Sequence, residues 1–154
     1  MPKASVKRLI ECKKKDLIDL VLDIEKYPEF VPFCFDAKIY ENNNKDDFIK
    51  IIADLTIGKG LFKDTYKSDV VFNKKKDSIF VKNIKGPLDH LSNNWKFTDK
   101  KNGITEVTFD IDFEIKNKFL NSLMVVSFQF GLEKIADAFQ KRAEELFRNS
   151  KNQI

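Results

Sequence analysis

A single histidine, His90, stands in 154 residues, so no multi-histidine metal centre or HExxH-type helix is available. Cysteine is almost as scarce. Cys12 and Cys34 stand apart, without the CxxC spacing of a redox or zinc motif, and fit reduced, buried thiols in a cytoplasm. No stretch of about eighteen apolar residues occurs, so no segment is expected to span a membrane. The opening residues, MPKASVKRLIE, read into a strand and lack both the apolar core of a signal peptide and an Arg- and Ser-rich presequence. The expected location is a bacterial-type cytoplasm. GxxxxGK[ST], GxGxxG and GxSxG are missing, which removes the usual phosphate-cradling, dinucleotide-binding and nucleophile-elbow chemistries.

What is present describes one globular domain over residues 1–154, with 42% hydrophobic and 34% charged residues. No repeat, linker or low-complexity segment argues for a second. The aromatic load is one-sided, with 15 phenylalanines against 3 tyrosines and 1 tryptophan. Such a load serves either a Phe-rich core or a Phe-lined cavity. The net charge of +4 is mild, and its lysine runs at 13–15, 74–76 and 100–101 fall at predicted turns or helix starts. They read as solvated turns, with weak attraction to lipid headgroups or RNA phosphates as the other reading.

Periodicity gives the elements. Residues 5–11 form a first strand, and Leu17, Leu20, Val21 and Ile24 make one face of a short helix whose start is poorly capped by lysines. A strand over 37–41 is expected to end at an Asn42-Asn43-Asn44 turn. Ile49, Ile51, Ala53, Leu55 and Ile57 alternate with Lys50, Asp54 and Thr56, broken only by Ile52, whose outer face need not be wholly wet; then Gly58 and Gly60 flank a turn. Phe62, Tyr66, Val70 and Phe72 share the next inward face with Asp64 and Ser68. Either a wet or ligand-facing pocket, or a bulge, would accommodate those two polar residues. Strands follow at 78–84 and 91–98, separated by a Gly86-Pro87 turn. Val107, Phe109, Ile111, Phe113 and Ile115 give the cleanest alternation, leaving Asp110, Asp112 and Glu114 facing water. From about 118 to 149 a single long helix, roughly 45 Å at 1.5 Å per residue, carries Phe128, Leu132, Ile135 and Phe139 on one stripe. Gly131 within it allows a close approach or a bend, and costs about 1 kcal/mol relative to alanine.

Two of the chain's four prolines fall in the octet YPEFVPFC at 27–34. Each fixes its own φ and pushes the preceding residue out of the α region. The octet is therefore a stiff aromatic elbow, suited to the rim of an apolar cavity. With GPLDHLSNNWKF at 86–97 and DFEIKNKFL at 112–120, in this order and spacing, it resembles the coenzyme Q-binding, START-like (polyketide cyclase/dehydrase and lipid transport) family. That family includes a ribosome-association toxin branch. The resemblance runs from about Val6 to Phe147. The chain departs from the usual pattern at Leu88 and Asp89, at Ser68-Asp69-Val70, and at Phe33.

The element order already gives an α+β domain, with two short helices after the first strand and a curved antiparallel sheet wrapped around the C-terminal helix. The resemblance implies the same helix-grip fold. It further implies a non-enzymatic protein that holds a prenylated quinone such as ubiquinone as bound ligand, without another cofactor, in support of respiratory electron transport or quinone delivery. Candidate lining residues are Tyr27, Phe30, Val31 and Phe33 at the elbow, Tyr66, Trp95, Phe97, Phe109 and Phe113 on the sheet, and Phe128, Leu132 and Ile135 on the helix; plain core packing is the other reading of each. Phe119, Leu120, Leu123 and Met124 are apolar nearly all round the helix start and are expected to visit a membrane surface, making the protein peripheral to the inner membrane. The competing expectation is an inhibitor that binds the large ribosomal subunit. A third is an aromatic cyclase or dehydrase, for which Asp64 beside Tyr66 is the candidate general base. The sequence leaves the oligomeric state open.

Overall fold

Seven strands form one antiparallel sheet in the order β1-β7-β6-β5-β4-β3-β2. The structure, a computed structural model, describes residues 3–59, 62–85, 90–114 and 118–148, with side chains at 3–58, 63–85, 90–113 and 129–147. The strands are β1 (Lys3–Ile10), β2 (Cys34–Lys45), β3 (Phe48–Lys59), β4 (Phe62–Asn73), β5 (Ser78–Lys85), β6 (His90–Asp99) and β7 (Thr105–Glu114). Between β1 and β2 lie helix α1 (Lys14–Leu22) and a 3-10 helix, Ile24–Glu29. The chain closes with α2 (Lys118–Ala143), 26 residues or about 39 Å long, and a π-helical turn, Glu144–Arg148. This is the helix-grip arrangement.

The period of two decides which face is buried. Ala4, Val6 and Ile10 of β1 turn inward with Val107, Phe109 and Phe113 of β7 and Trp95 and Phe97 of β6. Ile79, Val70, Phe72, Ile51 and Ala53 continue the face across β5, β4 and β3. Leu132, Phe139 and Ala143 of α2 bury against it, and Leu17, Leu20 and Val21 of α1 complete the core. Lys13 caps α1 with no side-chain hydrogen bond, as lysines at its start foretold.

β2 does not end at the asparagines. Asn42, Asn43 and Asn44 pair with Ile51, Lys50 and Ile49, and the strand runs on to Lys45. Cross-strand pairing with a strongly apolar neighbour overrides the low strand propensity of asparagine. The turn falls at 46–47, where Asp46 adopts φ 54°, a left-handed conformation that aspartate tolerates well. β3 likewise runs through Gly58 to Lys59. Ile115 and the Gly86-Pro87 turn lie outside the described residues.

The β1 edge is covered along most of its length and the β2 edge near its start. At β1, Gln129 of α2 accepts from Ser5 N (3.2 Å) and donates to Ser5 O (3.0 Å), reproducing a strand partner with one amide side chain. Further along, Gln140 donates to Leu9 O and Glu144 accepts from Glu11 N, each at 3.2 Å. At β2, Glu25 of the 3-10 helix accepts from Ile39 N at 3.0 Å. Unpaired edge groups otherwise invite another chain to pair with them.

Candidate functional site

The elbow starts in the 3-10 helix, which accommodates Pro28, and crosses from the rear of α2 to the end of β3. Tyr27 meets Phe139 edge-on at 5.3 Å, and Phe30 meets the same ring at 5.1 Å. Trp95 approaches Phe139 from the sheet at 5.2 Å and stacks on Phe109 at 4.1 Å, with Phe97 beyond it at 6.3 Å. The Tyr27 hydroxyl donates to Val21 O, and burial pushes its pKa up. Arg142 spreads over Phe30 at 5.2 Å and pairs with Glu29 at 3.1 Å, holding the elbow on α2.

These rings leave little room between them. A void of about 10 Å³ is bounded by Val6, Ile10, Leu17, Trp95, Val107, Phe109, Ala136 and Phe139, with Arg8 the one charged neighbour. That is the size of one water, in a lining that offers a water few partners. The space between sheet and helix at the α1 end is thus closed by aromatic packing.

Toward the other end of the sheet, where β7 leads into α2, the inner face changes character. Tyr66 lies half-buried opposite Leu55, and Ser68 is buried opposite Ala53. Asn93 stands in register between Val81 and Ile111, and accepts from Trp95 Nε1 at 3.2 Å. Phe113 is fully buried at this end, opposite Leu91. A register shift follows Lys67, and Asn83 fills it by donating its amide to Lys67 O (3.2 Å) and Lys85 O (2.8 Å). The bulge is therefore present, yet Ser68 keeps its inward place. Asp64 is exposed, while burial and then the Asp64 charge push the Tyr66 hydroxyl up.

Of the remaining candidates, Val31 is half-buried against the core and Phe33 is half-buried in a left-handed conformation, φ 69°. Phe33 O accepts from Gly58 N at 2.9 Å, which places the elbow's far end beside β3. Next to it, burial pushes the Cys34 thiol up to about 11. Leu132 is buried and Ile135 half-buried in the core. The side chains of Phe119, Leu120, Leu123, Met124 and Phe128 lie outside the described residues. Tyr27, Phe30, Trp95, Phe97 and Phe109 thus gather in one cluster, with Tyr66 and Phe33 apart from it. Sequence reasoning left out the cluster's hub, Phe139, although its place on the helical stripe was the available signal. It also left out Asn93, whose inward register follows from its alternation with Trp95 and Phe97.

Among the described residues no group of His, Cys, Asp and Glu side chains could hold a metal ion, and no helix is long and apolar enough to cross a membrane. A seven-stranded sheet gripping a C-terminal helix is the helix-grip, START-like fold, here with an aromatic and sparsely polar inner face.

Residues 11–140 match the family model for polyketide cyclase/dehydrase and lipid transport, and the chain belongs to that family. It is similar to the ribosome association toxin RatA of Rickettsia prowazekii, 33% identical over 92% of this chain and 95% of that one. It is also similar to the mitochondrial coenzyme Q-binding protein COQ10 of Dictyostelium discoideum, 29% identical over 85% of this chain and 63% of that one. Among solved structures, an 18 kDa protein from Caulobacter crescentus superposes with a TM-score of 0.78 at 25% identity, covering 95% of this chain and 98% of its own.

Proposed function

We propose that this protein holds a prenylated quinone, without transforming it, between the inner sheet face and α2. The observation that carries the reading is the grading of that face. Packed rings close the α1 end, while toward the other end a few polar groups, Tyr66 and Ser68 on β4 and Asn93 on β6, interrupt an otherwise apolar face opposite Leu55, Ala53, Val81 and Ile111. An apolar tail with a small polar head matches such a surface. The Tyr66 hydroxyl is protonated at neutral pH, more firmly still for being partly buried, and can donate to a quinone carbonyl. The lipid-transport description of the family and the coenzyme Q-binding relative support the same ligand class. The candidate base Asp64 is exposed, which favours holding over catalysis.

Energetics set the division of labour. At about 0.8 kcal/mol per buried CH₂, a ten-carbon tail segment gains about 8 kcal/mol against water. Leaving a bilayer gains almost none of that, because lipid already shields the tail. Selectivity therefore falls to the head group and the polar residues near it. Collection from a bilayer is assigned to Phe119, Leu120, Leu123 and Met124 at the helix start.

Organic extraction of the purified protein, followed by mass spectrometry, tests the reading. A quinone should be recovered from the wild type, and Tyr66→Phe with Ser68→Ala should lower its yield while the fold persists. A wild type that carries no lipid and takes up none from quinone-loaded vesicles would overturn it.

A second reading, association with a ribosome, draws on the 33% identical relative. What favours it in this molecule is a set of exposed lysines at the α1 end of the sheet.

A further inference from the structure

Antiparallel topology collects the lysine runs that lie far apart in the sequence. The turns after β2, β4 and β6, and the corner between β1 and α1, all fall at one end of the sheet, opposite the start of α2. Contacts join each turn to the next. Lys74 N donates to Asp47 O at 2.8 Å and Lys75 pairs with the Asp47 carboxylate at 3.3 Å. Phe97 N donates to Asp77 O at 3.0 Å, and Lys14 bridges Asp77 (2.8 Å) and Asp99 (3.1 Å). With strands about 4.8 Å apart, the resulting belt follows the sheet for about 29 Å.

Three carboxylates of the belt are committed within it, while Asp46, in the turn after β2, stands exposed beside Lys45. Asp47 holds Lys75, while Asp77 and Asp99 hold Lys14. Lys13, Lys15, Lys45, Lys76 and Lys101 are exposed and, among the described residues, have no carboxylate in ion-pair range. The excess positive charge is thus fixed on short, cross-braced turns.

We infer that this end is a binding surface for the phosphate backbone of RNA. Cations spread along a rigid line neutralise successive phosphates and release their counterions. Phe48, 42% exposed and in register with Lys45, offers a stacking face for an unpaired base. Among the described residues no helix or ribbon projects here to enter a DNA major groove, so backbone contact and stacking carry the interaction. A lipid surface fits less well, because the exposed large apolar side chains beside these turns, Leu9 on β1 and Phe48 on β3, lie toward opposite edges of the sheet and form no continuous apolar face. The surface lies away from the Tyr66 end and goes beyond the quinone reading.

The test is fluorescence anisotropy of the full chain with a labelled RNA hairpin carrying a single-stranded loop, between about 50 and 200 mM salt. The variant combines Lys13→Gln, Lys76→Gln and Lys101→Gln; a control combines Lys38→Gln, Lys63→Gln and Lys67→Gln on the outer face of the sheet. The belt variant should bind at least about tenfold more weakly at low salt, and its salt slope should fall by two to three. The control should bind like the wild type, and thermal melts should show both variants folded. Equal losses in belt variant and control, an unchanged belt variant, or binding to phosphatidylglycerol vesicles with none to RNA would each overturn the inference. Binding to the hairpin without cosedimentation with ribosomal subunits would keep the surface and remove the ribosome reading.

Discussion

Thr105 Oγ1 donates to Cys12 O at 2.6 Å, and Thr105 is fully buried. This bond ties the start of β7 to the corner after β1. Thr105→Val preserves shape but removes this buried hydrogen bond, so chemical denaturation should show a loss of about 0.5–1.5 kcal/mol. Phe139 acts through packing alone. It touches Tyr27, Phe30 and Trp95 at once, and Phe139→Ala should cost about 3–5 kcal/mol by the same measurement. That is a large share of the roughly 5–15 kcal/mol that holds a typical domain folded. A loss below about 1 kcal/mol would mean that the elbow and sheet close over the gap.

At the scale of elements, α2 does two jobs. Its apolar stripe fills the sheet, and its glutamines complete the edge of β1. Gln129→Ala should speed amide hydrogen exchange at Ser5 while lowering stability by only about 1 kcal/mol, because water can replace the lost bonds there. The glycine in the same helix has no such role. A Cβ added at Gly131 meets nothing within 4 Å, so no close approach requires the glycine. Gly131→Ala should therefore raise stability by about 0.5–1 kcal/mol, read as a higher denaturant midpoint. An unchanged or lower midpoint would point to a bend that alanine resists.

For the whole molecule, the shifted groups agree in sign. Burial pushes the Cys34 thiol from 9.0 to about 11, burial raises the Tyr27 hydroxyl, and hydrogen bonds to Asp77 and Asp99 raise Lys14. Each binds its proton more tightly in the folded chain than in the unfolded one. The stability these groups contribute is therefore fully present at neutral pH up to about 9 and falls as the pH rises toward 11 and beyond. Urea midpoints should hold between about pH 7 and 8.5 and drop by about pH 10.5. Cys34→Ala should soften the first part of that drop; an equally steep fall would clear the thiol of any share.

The period-two alternations of β1, β3 and β7 and the three-to-four spacing along α2 were legible in the sequence because each element buries one face, and burial writes that face into the residue order. The order of elements then sufficed for an α+β helix-grip domain. The end of β2 was not legible, since asparagines in isolation favour turns and only Ile49 and Ile51 across the strand pair hold them extended. Nor was the grouping of the aromatic candidates, because Tyr27, Trp95 and Phe139 meet only where the elbow, β6 and α2 cross. The lysine runs show the same division most plainly. The sequence by itself determined that they sit in turns. Only the tertiary structure decided that those turns share one end of the sheet, because alternating strand direction returns every second turn to the same side.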